Sequence, residues 1–239
     1  MSEITDDLSR VNHLLHHWLL QCTSDKALNW LAQKQAEIAN GADQRVFFTA
    51  FSAVPRYIGK QDLQLSPQDL EIAKTLLAGW VPSHWSADQV GRTILLLALP
   101  HNDMEKYMRS LDQVFTTADM GELIVLYQSL PLLPYPELQR QRAAEGIRSN
   151  IVTVFQAVAL QNPYPANYLD DIAWNQMVLK AVFVNSPLHL IWGLDQRANP
   201  KLAQMLIDYA HERSAAKRSV TPELWRLVEP FALGIGSKE

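Results

Sequence analysis

The stretch NPKLAQMLIDYAHER, residues 199–213, decides the fold class. Asn199 offers a side-chain oxygen to the free N–H groups of a first helical turn. Pro200 follows at the first helical position, where its missing N–H costs nothing. Leu202, Leu206, Tyr209, Ala210 and Arg213 then recur on one helical face, whereas Asp208, His211 and Glu212 project away from it. The same pairing of capping oxygen and proline occurs at Ser66-Pro67, Ser186-Pro187 and Thr221-Pro222, so four helix starts are expected. Ser86 with Gln89 spells a capping box, and Asp43, Asn102, Thr117 and Asp170 are further cap candidates.

Outward from these starts the apolar spacing stays helical. Leu8, Val11, Leu15, Trp18, Leu19 and Cys22 form one stripe; Leu28, Leu31, Ala32, Ile38 and Ala39 form another, interrupted by Gln35. Val46, Phe47, Ala50, Phe51 and Val54 repeat the pattern before Pro55. Further helices are expected over 67–78, 87–99, 103–115, 118–130, 136–160, 171–185, 200–216 and 222–229. Strand-like alternation is nearly absent and only 9 glycines occur, so the expected fold is all-α. Short connections make successive helices antiparallel hairpins, stacked as a HEAT-like solenoid or closed into a compact helical array. The loops at 57–65 and 161–169 are the best internal boundaries, with residues 1–60 expected as an amino-terminal helical cap and 61–239 as the main helical domain.

Composition narrows the function classes. The 239 residues carry 21 Lys and Arg against 25 Asp and Glu, a net charge of −4 that offers no general polyanion surface, so no nucleic-acid partner is expected. The single Cys22 excludes an intramolecular disulfide and a multi-cysteine metal site, and favours a reducing, cytoplasmic setting. The opening MSEITDDL is acidic where an export signal would be basic and then apolar. The apolar runs 94–99 and 177–184 fall short of the ~20 residues a membrane span needs. His13 and His17 have ligand spacing, but no Glu stands between them as in a zinc protease, and adventitious metal binding is the most they support. No Gly-rich phosphate loop appears, and no cofactor is expected.

The suggestive polar residues lie between 142 and 213. The helix expected over 136–160 turns Ala143, Ala144, Ile147, Ile151, Val154, Phe155 and Val158 inward, leaving Arg142 and Glu145 on the opposite face as a candidate ion pair. Arg148 and Asn150 flank the stripe, where side chains line a groove or bridge to a neighbouring helix. The segment 171–185 is apolar around nearly its whole circumference, so Asn175, Gln176 and Lys180 stand out within it. Gln176 and Lys180 share a face, and a buried lysine there needs a partner, a cavity or an exit to solvent. Asp195 and Arg197 precede the last long helix and either bracket a ligand or stabilise a turn; Asp208 and His211 sit on its outer side. The candidate ligand-binding set is therefore Arg142, Arg148, Asn150, Asn175, Lys180, Asp195, Arg197, Asp208 and His211, with no catalytic and no metal-binding residue. Asn162-Pro163-Tyr164-Pro165 reads as a stiff extended turn whose Tyr164 either packs on the core or lids a pocket.

The runs TADMGEL (117–123), LPLLPYPE (130–137), RAAEGIRSN (142–150), NPYP (162–165), AWNQMVLKAVF (173–183) and LDQRANPKLAQMLIDYAHER (194–213) together resemble the EboA family over roughly residues 90–228. The resemblance implies a component of a bacterial metabolite-trafficking cluster that moves secondary-metabolite precursors toward the periplasm. The partners it implies are proteins of the same cluster, including a prenyltransferase-like membrane protein, at which a cytoplasmic chain would dock peripherally on the inner membrane. It carries over no catalytic residue. The expectation is a non-catalytic binding or adaptor protein for a small-molecule metabolite. The alternatives are an enzyme acting on a polar or prenylated intermediate, with His211 or Asp208 as acid or base, and a structural scaffold for the pathway proteins.

Overall fold

A computed structural model describes residues 2–232, with side chains from Leu8 onward; most of the amino-terminal segment read against an export signal has its side chains outside that range. The described residues form thirteen α-helices and no strand, joined by short 3-10 turns; one isolated antiparallel bridge links Asp62 and Ser86. The chain is all-α. It divides after Gln139 into two compact units, Met1–Gln139 and Arg140–Glu239, and the loop at 57–65 runs inside the first. None of the helices is long and apolar enough to cross a membrane among the described residues.

In the first unit, α1 (Ser2–Leu20), α2 (Asp25–Ala39), α3 (Gln44–Tyr57) and α4 (Pro67–Leu76) precede α5 (Ala87–Leu97), which packs on α1, α2 and α3. Helix α5 is buried along nearly its whole length. Gly91 makes the close approach to α3 possible, because a Cβ there would lie 2.9 Å from Val54 Cγ1. Beside α5, Trp18, Trp80 and Trp85 form a buried aromatic cluster. The chain continues through α6 (Met104–Thr117) and α7 (Met120–Gln128).

A buried charge network, absent from the sequence reading, ties three of these helices together. Arg92 on α5 is 5% exposed, and its Nε donates to the Phe51 carbonyl at 3.1 Å. Its guanidinium nitrogens lie 3.6 Å from Asp88 and 3.7 Å from Glu122, and the group sits 5.4 Å from the Phe51 ring centroid. Glu122 on α7 also accepts from the Ser52 hydroxyl at 2.7 Å and from the Asp119 N–H at 3.1 Å. One cation thus serves two buried carboxylates, an arrangement stable while complete and costly when the cation is lost.

Most expected helices appear within a few residues of their limits, and the departures have local causes. The caps of α6 and α7 are Asp103 and Asp119, not Asn102 and Thr117. Asp119 wins because Glu122 completes a reciprocal capping box, while the Thr117 hydroxyl bonds back to Gln113 and closes the helix before it. Ser186-Pro187 opens only a 3-10 turn, Leu188–Leu190. The Ser186 hydroxyl accepts from the Gln156 amide at 3.2 Å instead of capping, and its N–H closes the helix upstream on the Ala181 carbonyl, with Asn185 at φ +55°.

The second unit holds α8 (Arg140–Arg148), α9 (Val152–Ala159), α10 (Tyr164–Tyr168), α11 (Asp171–Phe183), α12 (Pro200–Ala215) and α13 (Glu223–Val228). The single helix expected over 136–160 is broken, and α8 packs against α9. Ser149 draws the Ile151 N–H to its own hydroxyl at 3.2 Å, which takes that donor out of the helical ladder, and the helix restarts only at Val152. Folding back also moves Arg142 from the expected outer face into the buried side of α8, while Glu145 stays exposed. Helix α11 is not apolar-and-buried all round: Ile172 and Phe183 are exposed. The NPYP turn starts α10, with the Asn162 amide bonded to Ala157 and Tyr164 buried in the core.

Replacing Arg92 by Met should destabilise the first unit by about 3–5 kcal/mol, because two carboxylates then remain buried without their cation. Urea unfolding followed by tryptophan fluorescence measures this, and a loss below about 1 kcal/mol would show the network to be dispensable.

Candidate functional site

The break between α8 and α9 leaves carbonyls at the end of α8 and just past it without helical partners, and Lys180 of α11 takes two of them. Its ammonium donates to the Ile147 carbonyl at 2.5 Å and to the Ser149 carbonyl at 2.7 Å, and lies 5.0 Å from the Phe155 ring centroid. A cation at a helix carboxyl end meets both the exposed carbonyls and the negative end of the dipole. Burial draws the ammonium below the ordinary lysine range. Among the described residues no carboxylate lies within ion-pair distance of Lys180, and its third N–H has no protein acceptor.

Lys180 lines a cleft of about 590 Å³. Asn150, Gln176 and Glu212 place polar groups around it, and Tyr209 presents a half-buried ring. The rest of the lining is apolar: Val152 is 43% exposed, Phe183 is 74% exposed, and Leu179 and Val184 complete it. Hydrogen-bonding groups and exposed apolar side chains thus share one cleft, which suits a ligand with a polar end and a hydrocarbon or aromatic body. The ammonium is engaged as a donor, and in that state it has no lone pair for nucleophilic attack.

Of the residues nominated from sequence, the structure brings Asn150 and Lys180 to this cleft. Asn175 is buried and exchanges amide hydrogen bonds of 3.2 and 2.9 Å with Asn199, the residue that caps α12. Arg197 caps α10 as Lys180 caps α8, donating to Pro165, Ala166 and Leu169 carbonyls at 3.2, 3.2 and 2.8 Å. It also pairs with Asp171 at 2.7 Å and stands 4.8 Å from the Trp174 ring centroid. Asp195 pairs with Arg226 at 3.1 Å, and Asp208 accepts from Gln204 at 2.8 Å on the exposed side of α12. Arg148 and His211 are exposed and Arg142 is buried; none of the three lines the cleft. The groove that Arg148 and Lys180 were expected to share is therefore not formed by that pair.

Phe183 and Tyr209 are among the cleft residues that the sequence did not single out. Phe183 was read as core because α11 is apolar, and Tyr209 because it lies on the stripe of α12. The spacing of Gln176 and Lys180 was the available signal, and Glu212, one turn after Asp208, was the other. Among the described residues there is no group of three or more His, Cys, Asp or Glu able to hold a metal ion. His16 bonds to Gln35 at 2.9 Å, and His17 lies 3.2 Å from the Gln21 amide.

A family model described as metabolite traffic protein EboA matches residues 11–229, nearly the whole of this helical array. The chain belongs to the EboA family. No curated protein and no solved structure matches it. In this EboA-family chain the match covers both units and every residue of the Lys180 cleft.

The depressed ionisation of Lys180 gives a pH signature. The unfolded chain, with an ordinary lysine, holds more protons than the folded chain between the lowered folded pKa and about 10.4, so this residue's contribution to stability rises with pH through that window. The difference in unfolding free energy between wild type and Lys180→Met should therefore grow in favour of wild type from neutral pH toward pH ~10. Urea titrations across that range check it; a difference independent of pH would mean that Lys180 titrates as a free lysine.

Proposed function

We propose that this chain is a non-catalytic binding and adaptor protein that holds a small metabolite in the Lys180 cleft during its traffic. The observation that carries the reading is the pairing within one cleft of an anchored ammonium that keeps a spare donor with the unpartnered Phe183 and Val152 wall. A polar end of the ligand would meet Lys180, Gln176 and Asn150, and its apolar body would cover Phe183. The family description supports a role in metabolite traffic. The enzymatic alternative needs His211 or Asp208 at the cleft, and neither lines it.

The resemblance noted in the sequence extends this reading to a cytoplasmic bacterial component of secondary-metabolite export. In that setting the protein passes its cargo to partners of the same gene cluster, including a prenyltransferase-like membrane protein. Exposed Phe183 and Ile172 are then available to a partner when the cleft is empty.

Purification of the full chain from its native cell, followed by mass spectrometry of extracted small molecules, tests the binding role. A single compound at about one per chain is expected, and Phe183→Ser, a change at an exposed position that leaves the α8 cap intact, should reduce its recovery at least about tenfold. Recovery of partner proteins with no small molecule would replace the reading by that of a scaffold, and turnover of a recovered compound by the isolated protein would replace it by an enzyme.

A further inference from the structure

The Lys180 cleft holds a second charge besides its ammonium. Glu212, in the last turn of α12, lines it with an exposed carboxylate that has no hydrogen-bond or ion-pair partner among the described residues. The cation next to it in sequence, Arg213, is committed elsewhere. It donates to the Ser219 carbonyl at 3.2 and 2.9 Å and stands 5.9 Å from the Tyr209 ring centroid. Lys180 keeps one N–H without a protein acceptor, and it does not pair with Glu212. Two unpaired charges of opposite sign therefore line one cleft of about 590 Å³, held beyond ion-pair distance of each other.

A ligand with a single charge leaves one of these groups unmet and brings its own charge near a like one. A carboxylate drawn to Lys180 lies in the field of Glu212, and an amine drawn to Glu212 lies in that of Lys180; beside apolar walls both repulsions are screened less than in bulk water. A zwitterion meets both groups. Lys180 and Phe183 are three residues apart on α11, about 5 Å along the axis, which is close to the separation of carboxylate and side chain in an α-amino acid. Phe183 is 74% exposed, and Val152, Leu179 and Val184 complete the apolar lining. From this arrangement we infer that the cleft takes amino acids with large apolar side chains, the carboxylate meeting Lys180, the ammonium meeting Glu212 and the side chain covering Phe183. The assignment rests on the binding role proposed for the cleft and names the class of its cargo.

The probe is L-phenylalanine, with 3-phenylpropionate as the same body without the ammonium and 2-phenylethylamine as the same body without the carboxylate. Titration of the full chain at neutral pH is followed by the backbone amide resonances of residues 176–184. Saturable binding of phenylalanine with a dissociation constant on the order of 1 mM is expected, and each control should bind about tenfold more weakly. Glu212→Gln, a change at an exposed position that leaves the α8 cap in place, should weaken phenylalanine about tenfold and bind 3-phenylpropionate as well as wild type does or better, so that the preference for the zwitterion disappears. The inference is overturned by equal binding of either control, by a preference that survives Glu212→Gln, or by failure of phenylalanine to saturate at roughly 10 mM. The extraction from the native cell separates this inference from the binding role itself. A single compound without an amine, its recovery reduced in Phe183→Ser, keeps the binding role and overturns the zwitterion, whereas recovery of no small molecule overturns both.

Discussion

The contact on which the second unit depends is the ammonium of Lys180 resting on the carbonyls of Ile147 and Ser149. A helix that stops inside a packed unit leaves acceptors that water cannot reach freely, and leaving them unmet costs more than any single apolar contact returns. A lysine reaching across from α11 satisfies two of them at once, so α8 and α9 can be separate helices packed on each other. The cleft is a consequence of that break. It is lined where α8 ends, where α9 begins, and along α11 and α12.

Arg197 repeats the device at the end of α10, where it meets three carbonyls and the face of Trp174. The two cations differ in what they have left to offer. Arg197 is also paired with Asp171, whereas Lys180 has two carbonyls, an aromatic face and a spare donor. In the first unit Arg92 is committed differently again, to two carboxylates and a backbone carbonyl in a buried network that holds α3, α5 and α7 in register. Three cations in apolar surroundings therefore have three fates, and of these three Lys180 is the one with a donor to spare.

How much of this was legible in the sequence follows from the range of the interactions involved. Caps and apolar stripes are local, and Asn199, Ser66, Asp43 and Asp170 cap the helices they were expected to cap. The break at Ser149 was not legible, because an apolar stripe runs on past residue 148 and hides it; what stabilises the break is a lysine more than thirty residues away. For the same reason Arg142, placed outside by a straight helix, is buried, and Arg148 does not line the cleft with Lys180. Lys180 itself was legible as a polar exception in an apolar helix that needed a partner. The Arg92 network was available in principle from the i,i+4 pair Asp88 and Arg92 just ahead of the apolar run 94–99, but its completion by Glu122 required the tertiary fold.

Amide hydrogen exchange across the second unit of wild type and Lys180→Met tests most directly whether this one contact holds the α8 end in place. The account predicts that protection falls in the last turn of α8, residues 144–148, and at the start of α9, while α10, capped independently by Arg197, keeps its protection. Unchanged protection of α8 in the variant would contradict it.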